Sequence, residues 1–117
     1  MTTAQRILII EDEPLISMML EDFIDVLGHA VAGTADNVSD ALVAVESGEL
    51  DAAILDINLR GGEKSWPVAD ALASAGIPFV LATGGAGDSI AAEHRHRPTL
   101  AKPFTLESVR GVLNALG

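Results

Sequence analysis

The 117-residue chain contains no cysteine, which excludes a disulfide framework, a thiolate metal site and a cysteine nucleophile. Basic residues are scarce: 7 Lys and Arg stand against 17 Asp and Glu, giving a net charge of −10. Such a surface repels phosphate backbones, so direct contact with nucleic acid is not expected. Aromatic side chains make up only 3% of the residues, which also removes the stacking platforms of single-strand binders. No apolar run is long enough to span a bilayer, and Met1 to Gln5 is too short and too polar for a signal peptide. No membrane partner is therefore expected, and the cytoplasm is the expected location. A chain of this length is expected to form one domain over residues 1–117 without an output domain. It should bury roughly two thirds of its unfolded surface.

What is present alternates between two periods. Ile7 to Ile10 is a continuous apolar run of the kind that a parallel strand buried on both faces requires. Pro14 fits the first turn of a helix that Gly28 stops after Leu27. Within it, Leu15, Met19, Phe23 and Leu27 form one stripe and Ile16, Leu20 and Ile24 a second, more apolar surface than one core-facing stripe needs. A second strand is expected at about Ala30 to Ala35, then a helix capped by Asn37 and ended at Gly48. Further strands follow at Asp51 to Ile57, at Ile77 to Thr83 and in "TLAKPF". A helix around Pro67 to Ala75 separates the third and fourth strands, and Thr105 caps a last helix running to Leu116. The stretch "GGAGDSIAAEHRHRP" is poor helix material, so the fourth helix is expected to be short or mobile. Alternation of this kind predicts a flavodoxin-like (βα)5 doubly wound parallel sheet with strand order 2-1-3-4-5.

That order places ligands beyond the carboxyl ends of the strands, where the winding reverses between the first and third. Glu11 and Asp12 end the first strand and Asp56 ends the third, so three carboxylates are expected to converge. Like charges held together raise one another's proton affinity, and a divalent cation removes that cost. Carboxylates, a backbone carbonyl and waters are hard ligands that suit Mg²⁺. Thr83 and Lys102 end the fourth and fifth strands with a hydroxyl and an ammonium. A carboxylate nucleophile, a cation site, a hydroxyl and a fixed positive charge together suit transfer of a phosphoryl group to aspartate.

These segments, "ILIIEDEP", "AAILDINL", "VLATGG" and "LAKPF", resemble the receiver domain of bacterial two-component response regulators over essentially the whole chain. The resemblance implies Asp56 as phosphoacceptor, Glu11 and Asp12 as the acidic pair, Thr83 as the switch hydroxyl and Lys102 as the lysine that contacts the phosphoryl group. It also implies that the backbone carbonyl of Asn58 is a metal ligand, completing a Mg²⁺ set with Glu11, Asp12 and Asp56. A histidine kinase or histidine phosphotransfer protein is the implied donor, docking on the first helix at Ile16 and Met19, although periodicity alone assigns both to the core. "PFVLATGG", with Thr99 where such domains commonly carry an aromatic switch residue, is similar to the FAT GUY subgroup of single-domain receivers. This resemblance implies a phosphorelay role, service in general stress signalling, and a downstream protein partner that the sequence does not name. Gly84, Gly85 and Gly87 give the loop after Thr83 the freedom for an order–disorder switch in place of the aromatic one.

Other motifs carry less. "GGEKS", Gly61 to Ser65, lacks the glycine that a phosphate-binding loop needs before Lys64 and reads as a plain loop. His94 and His96 with Arg95 and Arg97 suggest a small basic surface patch, Trp66 a packing residue, and Arg60 a neighbour of the site entrance. A phosphatase with an aspartyl-phosphate intermediate would need a second acid two residues after its nucleophile, where Asn58 stands. An enzyme is thus not expected. The alternative is a receiver-like binding module that acts without phosphorylation.

Overall fold

The run Arg6–Ile10 forms β1, an interior strand of a five-stranded parallel sheet. The structure, a computed structural model, describes residues 4–59, 62–84 and 90–116. The other strands are β2 (Ala30–Ala35), β3 (Ala52–Asp56), β4 (Phe79–Thr83) and β5 (Thr99–Ala101), in the order β2-β1-β3-β4-β5. Four α-helices are described: α1 (Pro14–Val26), α2 (Val38–Ser47), α3 (Trp66–Ser74) and α4 (Leu106–Leu116). The strand order is the expected one. Where a fourth of five helices was expected, the described residues hold only a 3-10 turn, Ala92–His94, because this segment lies between a glycine-rich stretch and Pro98.

Burial explains why the first strand is apolar throughout. Leu8 and Ile10 point into one core with Ala41 and Val45 of α2 and Leu72 of α3, whereas Ile7 and Ile9 point into the other with Leu20, Ile24, Val109 and Leu113 of α1 and α4. Period-2 alternation thus feeds two cores from one strand.

The ends of the helices follow local chemistry. Asn37 Oδ1 accepts from the Asp40 amide at 2.8 Å to start α2, and Gly48 closes it in the left-handed region at φ 71°. Thr105 Oγ1 accepts from the Ser108 amide at 3.0 Å at the start of α4.

The two stripes of α1 merge into one face. Ile16, Met19, Phe23 and Leu27 pack half-buried around the buried Leu20 and Ile24, while Leu15 is 79% and Met18 59% exposed. An i, i+4 row slants by about 40° per step, so its amino-terminal member, Leu15, swings out to solvent.

Candidate functional site

Strand register brings the acidic residues together. Ile10 pairs with Leu55, so Glu11 and Asp56 leave neighbouring strands at the same level. Carboxylate oxygens of Glu11, Asp12 and Asp56 all lie within 4.8 Å of one another, close enough to hold one cation. Glu11 and Asp56 are each only 4% exposed, and Asp12 is half-buried. Glu13, in contrast, is exposed at the start of α1. The carboxyl end of β1 thus carries two site acids and one solvated one.

Lys102 supplies the counter-charge. Its Nζ lies 2.8 Å from Asp56 Oδ2 and 3.1 Å from Glu11 Oε1. Its amide donates to the Thr83 carbonyl at 2.9 Å, which extends the β4–β5 ladder by one bond and fixes Lys102 beside the half-buried Thr83. The other Asp56 oxygen, Oδ1, accepts from the Asn58 amide at 3.3 Å. One cation and one backbone N–H therefore grip the two oxygens of Asp56.

The electrostatics carry the mark of this crowding. Burial first, then the hydrogen bond and charge of Asp56, push the Glu11 carboxyl from the ordinary 4.5 up to about 7, against weaker opposing pulls from Lys102 and the Glu13 amide. Burial disfavours the Lys102 ammonium, but hydrogen bonds and charges from Asp56 and Glu11 outweigh it and hold its pKa above the ordinary lysine value. Because the folded Glu11 binds its proton more tightly than the unfolded one, its contribution to stability is fully present below 4.5 and is lost as pH rises through about 7. Metal-free protein should therefore become more resistant to urea as pH falls from about 8 to about 5.5, and Glu11→Gln should flatten that slope. An opposite slope in the wild type would overturn this assignment.

A groove of about 390 Å³ opens beside these acids, lined by Glu11, Asp12, Ser17, Met18, Asp36 and Asp40 among others. Two residues after Asp56 stands Asn58, whose Oδ1 accepts from Lys64 Nζ. Gly84 is exposed directly after Thr83; Gly85, Gly87 and Arg60 fall outside the described residues.

The structure corrects the basic patch. His94 is 3% exposed, with Nε2 2.9 Å from Asp70 Oδ1 and its ring stacked on Trp66 at 5.9 Å between centroids and 11° between planes. Its edge meets Phe79 at 5.6 Å, and the Arg97 guanidinium sits 4.4 Å from the centroid of the Phe79 ring. Only Arg95 and His96 of the four remain at the surface. His94 and Arg97, three positions apart, face inward while the two residues between them face outward, which a basic run conceals.

Residues 7–114 match the family model described as the response regulator receiver domain. The chain belongs to the response regulator receiver family. This receiver is 36% identical over 115 residues to the phyllosphere-induced regulator PhyR of Methylorubrum extorquens, covering 95% of this chain and 43% of that protein's length. The chain thus spans less than half of that relative. A solution structure of SdrG from Sphingomonas melonis Fr1 matches with 59% identity and a TM-score of 0.89, covering 99% of this chain and 98% of that one. The BeF3-activated conformation of SdrG from Pseudomonas melonis Fr1 matches with the same identity, 98% of each chain and a TM-score of 0.83. The receiver family as a whole accounts for the acidic cluster as a place for a cation.

Proposed function

We propose that this receiver accepts a phosphoryl group on Asp56 from the phosphohistidine of a histidine kinase or histidine phosphotransfer protein, with Mg²⁺ as its ion. The observation that carries this reading is the grip on Asp56: a buried carboxylate beside two further acids, with Lys102 Nζ at 2.8 Å and the Asn58 amide at 3.3 Å. In the transfer, a carboxylate oxygen of Asp56 attacks phosphorus in line as the phosphorus–nitrogen bond to imidazole breaks, and the imidazole leaves neutral after taking a proton. Lys102 stands ready for the negative charge of the transferred group, and Thr83 offers a hydroxyl to one of its oxygens. Bound Mg²⁺, held by Asp12, Asp56 and the Asn58 carbonyl with Glu11 nearby, would supply further charge neutralisation.

The protein acts as a phosphoacceptor that assists its own phosphorylation and dephosphorylation, not as an enzyme on a separate substrate. Its output passes to a protein partner through the segment after Thr83, beginning at Gly84 and Gly85. Likeness to SdrG, of which a BeF3-activated conformation is known, supports this, and "PFVLATGG" supports the FAT GUY subgroup. One PhyR structure that matches with 30% identity is described as a stress response regulator, which supports a phosphorelay in general stress signalling. A cytoplasmic location follows from that role. The donor is proposed to dock along α1 near Ile16 and Met19, with the exposed Leu15 and Met18 beside them giving the contact its apolar surface.

The test is an amide NMR titration with Mg²⁺ and then beryllofluoride, a phosphoryl mimic. Large shifts at Asp56, Thr83, Gly84 and Lys102 are expected. A spectrum that stays unchanged with both present would overturn the reading in favour of a binding module that works without phosphorylation.

A further inference from the structure

The segment "GGEKS" acquires a use in the hydrogen bonds of its described residues, 62–65, between β3 and α3. Asn58 and Lys64 form an antiparallel bridge, Leu59 N donates to Glu63 O at 2.7 Å, and Gly62 N donates to Leu59 O at 3.2 Å. Gly62 takes φ 78°, a left-handed conformation that glycine adopts without strain, at the turn. At the base of this small hairpin, Ser65 directs both its amide and its hydroxyl to the Ile57 carbonyl, at 3.1 and 3.2 Å. Asn58 is therefore held between Asp56, through its amide, and Lys64, through its side chain.

A hairpin standing on the end of one strand can still pivot as a unit. A bond from outside restrains it here: the Val38 amide donates to Glu63 Oε1 at 3.0 Å. Val38 is the first residue of α2, and its N–H is one of the four that a helix cannot satisfy internally. Asn37 covers the Asp40 amide and leaves that of Val38 to Glu63. A carboxylate at this end is also favoured by the helix dipole.

We infer that Glu63 is a positioning residue for the cation site: by capping α2 it anchors the β3–α3 hairpin and so keeps Asn58 in place beside Asp56. This rests on the reading that Asp56 and Asn58 share a Mg²⁺ ion. Outer partners that orient ligands commonly change metal affinity strongly when removed.

The experiment measures Mg²⁺ affinity by amide shifts of Glu11, Asp12 and Asn58, and metal-free hydrogen exchange of the Leu59 amide, in four proteins. Glu63→Ala should weaken Mg²⁺ binding by about tenfold and speed Leu59 exchange. Glu63→Gln keeps an acceptor oxygen without the charge and should stay near wild type in both. Asn37→Ala removes the helix's own cap, and should lower stability at least as much as Glu63→Ala while leaving Mg²⁺ affinity unchanged. Equal weakening in Glu63→Gln and Glu63→Ala would mean that charge alone acts, and would overturn the anchoring role. So would an effect of Asn37→Ala as large as that of Glu63→Ala, or none in Glu63→Ala. A wild type that binds no Mg²⁺ would instead remove the underlying reading of the site.

Discussion

Asp56→Asn should abolish phosphoryl uptake and, at the same time, make the metal-free protein harder to unfold. The first effect follows because a carboxamide oxygen is a poor nucleophile toward phosphorus and cannot yield the acyl phosphate. The second follows from the crowding of three carboxylates within 4.8 Å with one ammonium between two of them. Converting Asp56 to a neutral isostere relieves repulsion with Glu11 and Asp12 and takes one charge out of a buried place. The bond from the Asn58 amide survives, since asparagine keeps an acceptor oxygen, and Lys102 retains Glu11 at 3.1 Å. The Glu11 carboxyl should move down from about 7, though burial, its largest cause, still holds it above 4.5. A gain of about 1 kcal/mol is expected in urea unfolding with chelator present, given that one pKa unit corresponds to about 1.4 kcal/mol. Adding Mg²⁺ should then stabilise the wild type more than the variant and shrink the gap. If the variant is less stable with chelator, the Lys102–Asp56 pair outweighs the repulsion.

Phe79→Ala should be the most damaging core substitution on the α3 side of the sheet. The ring is fully buried in β4, meets the edge of His94 and carries the Arg97 guanidinium above it. Truncation of a buried phenylalanine costs about 3–5 kcal/mol, and loss of the cation–π contact adds about 0.5–1 kcal/mol. Against a usual total of about 5–15 kcal/mol, that is enough to leave the chain marginal or unfolded. Phe79→Leu refills most of the space and should cost much less. The midpoints of urea denaturation for the two variants decide it; equal midpoints would mean that refilled volume restores nothing and that the loss lies in the ring contacts with His94 and Arg97.

Much of this molecule could be read from its residues because the signals were local. Ile7 to Ile10 has one reasonable state, and Asn37, Gly48 and Thr105 each satisfy a neighbouring backbone group by chemistry within a few residues. The convergence of Glu11, Asp12, Asp56 and Lys102 was equally legible, since strand order and strand ends together decide it. What escaped depends on partners distant in sequence. The burial of His94 needs Asp70 and Trp66, each more than twenty residues away, and the bond from Val38 to Glu63 spans 25 residues. Leu15 and Ile16 are adjacent leucine and isoleucine, yet one is solvated and the other packs, because the helix rotates between them. Periodicity counts apolar residues without saying where an apolar face ends.

The His94 cluster changes how the stretch between β4 and β5 can move. Little regular helix fastens the described part of it; instead a buried imidazole lies flat against Trp66, the chain's one tryptophan. Any rearrangement that lifts this stretch from α3 must separate the two rings and let water or other side chains reach the indole. The protein therefore contains its own optical reporter, and the motion of that segment can be followed as tryptophan emission without attaching a dye.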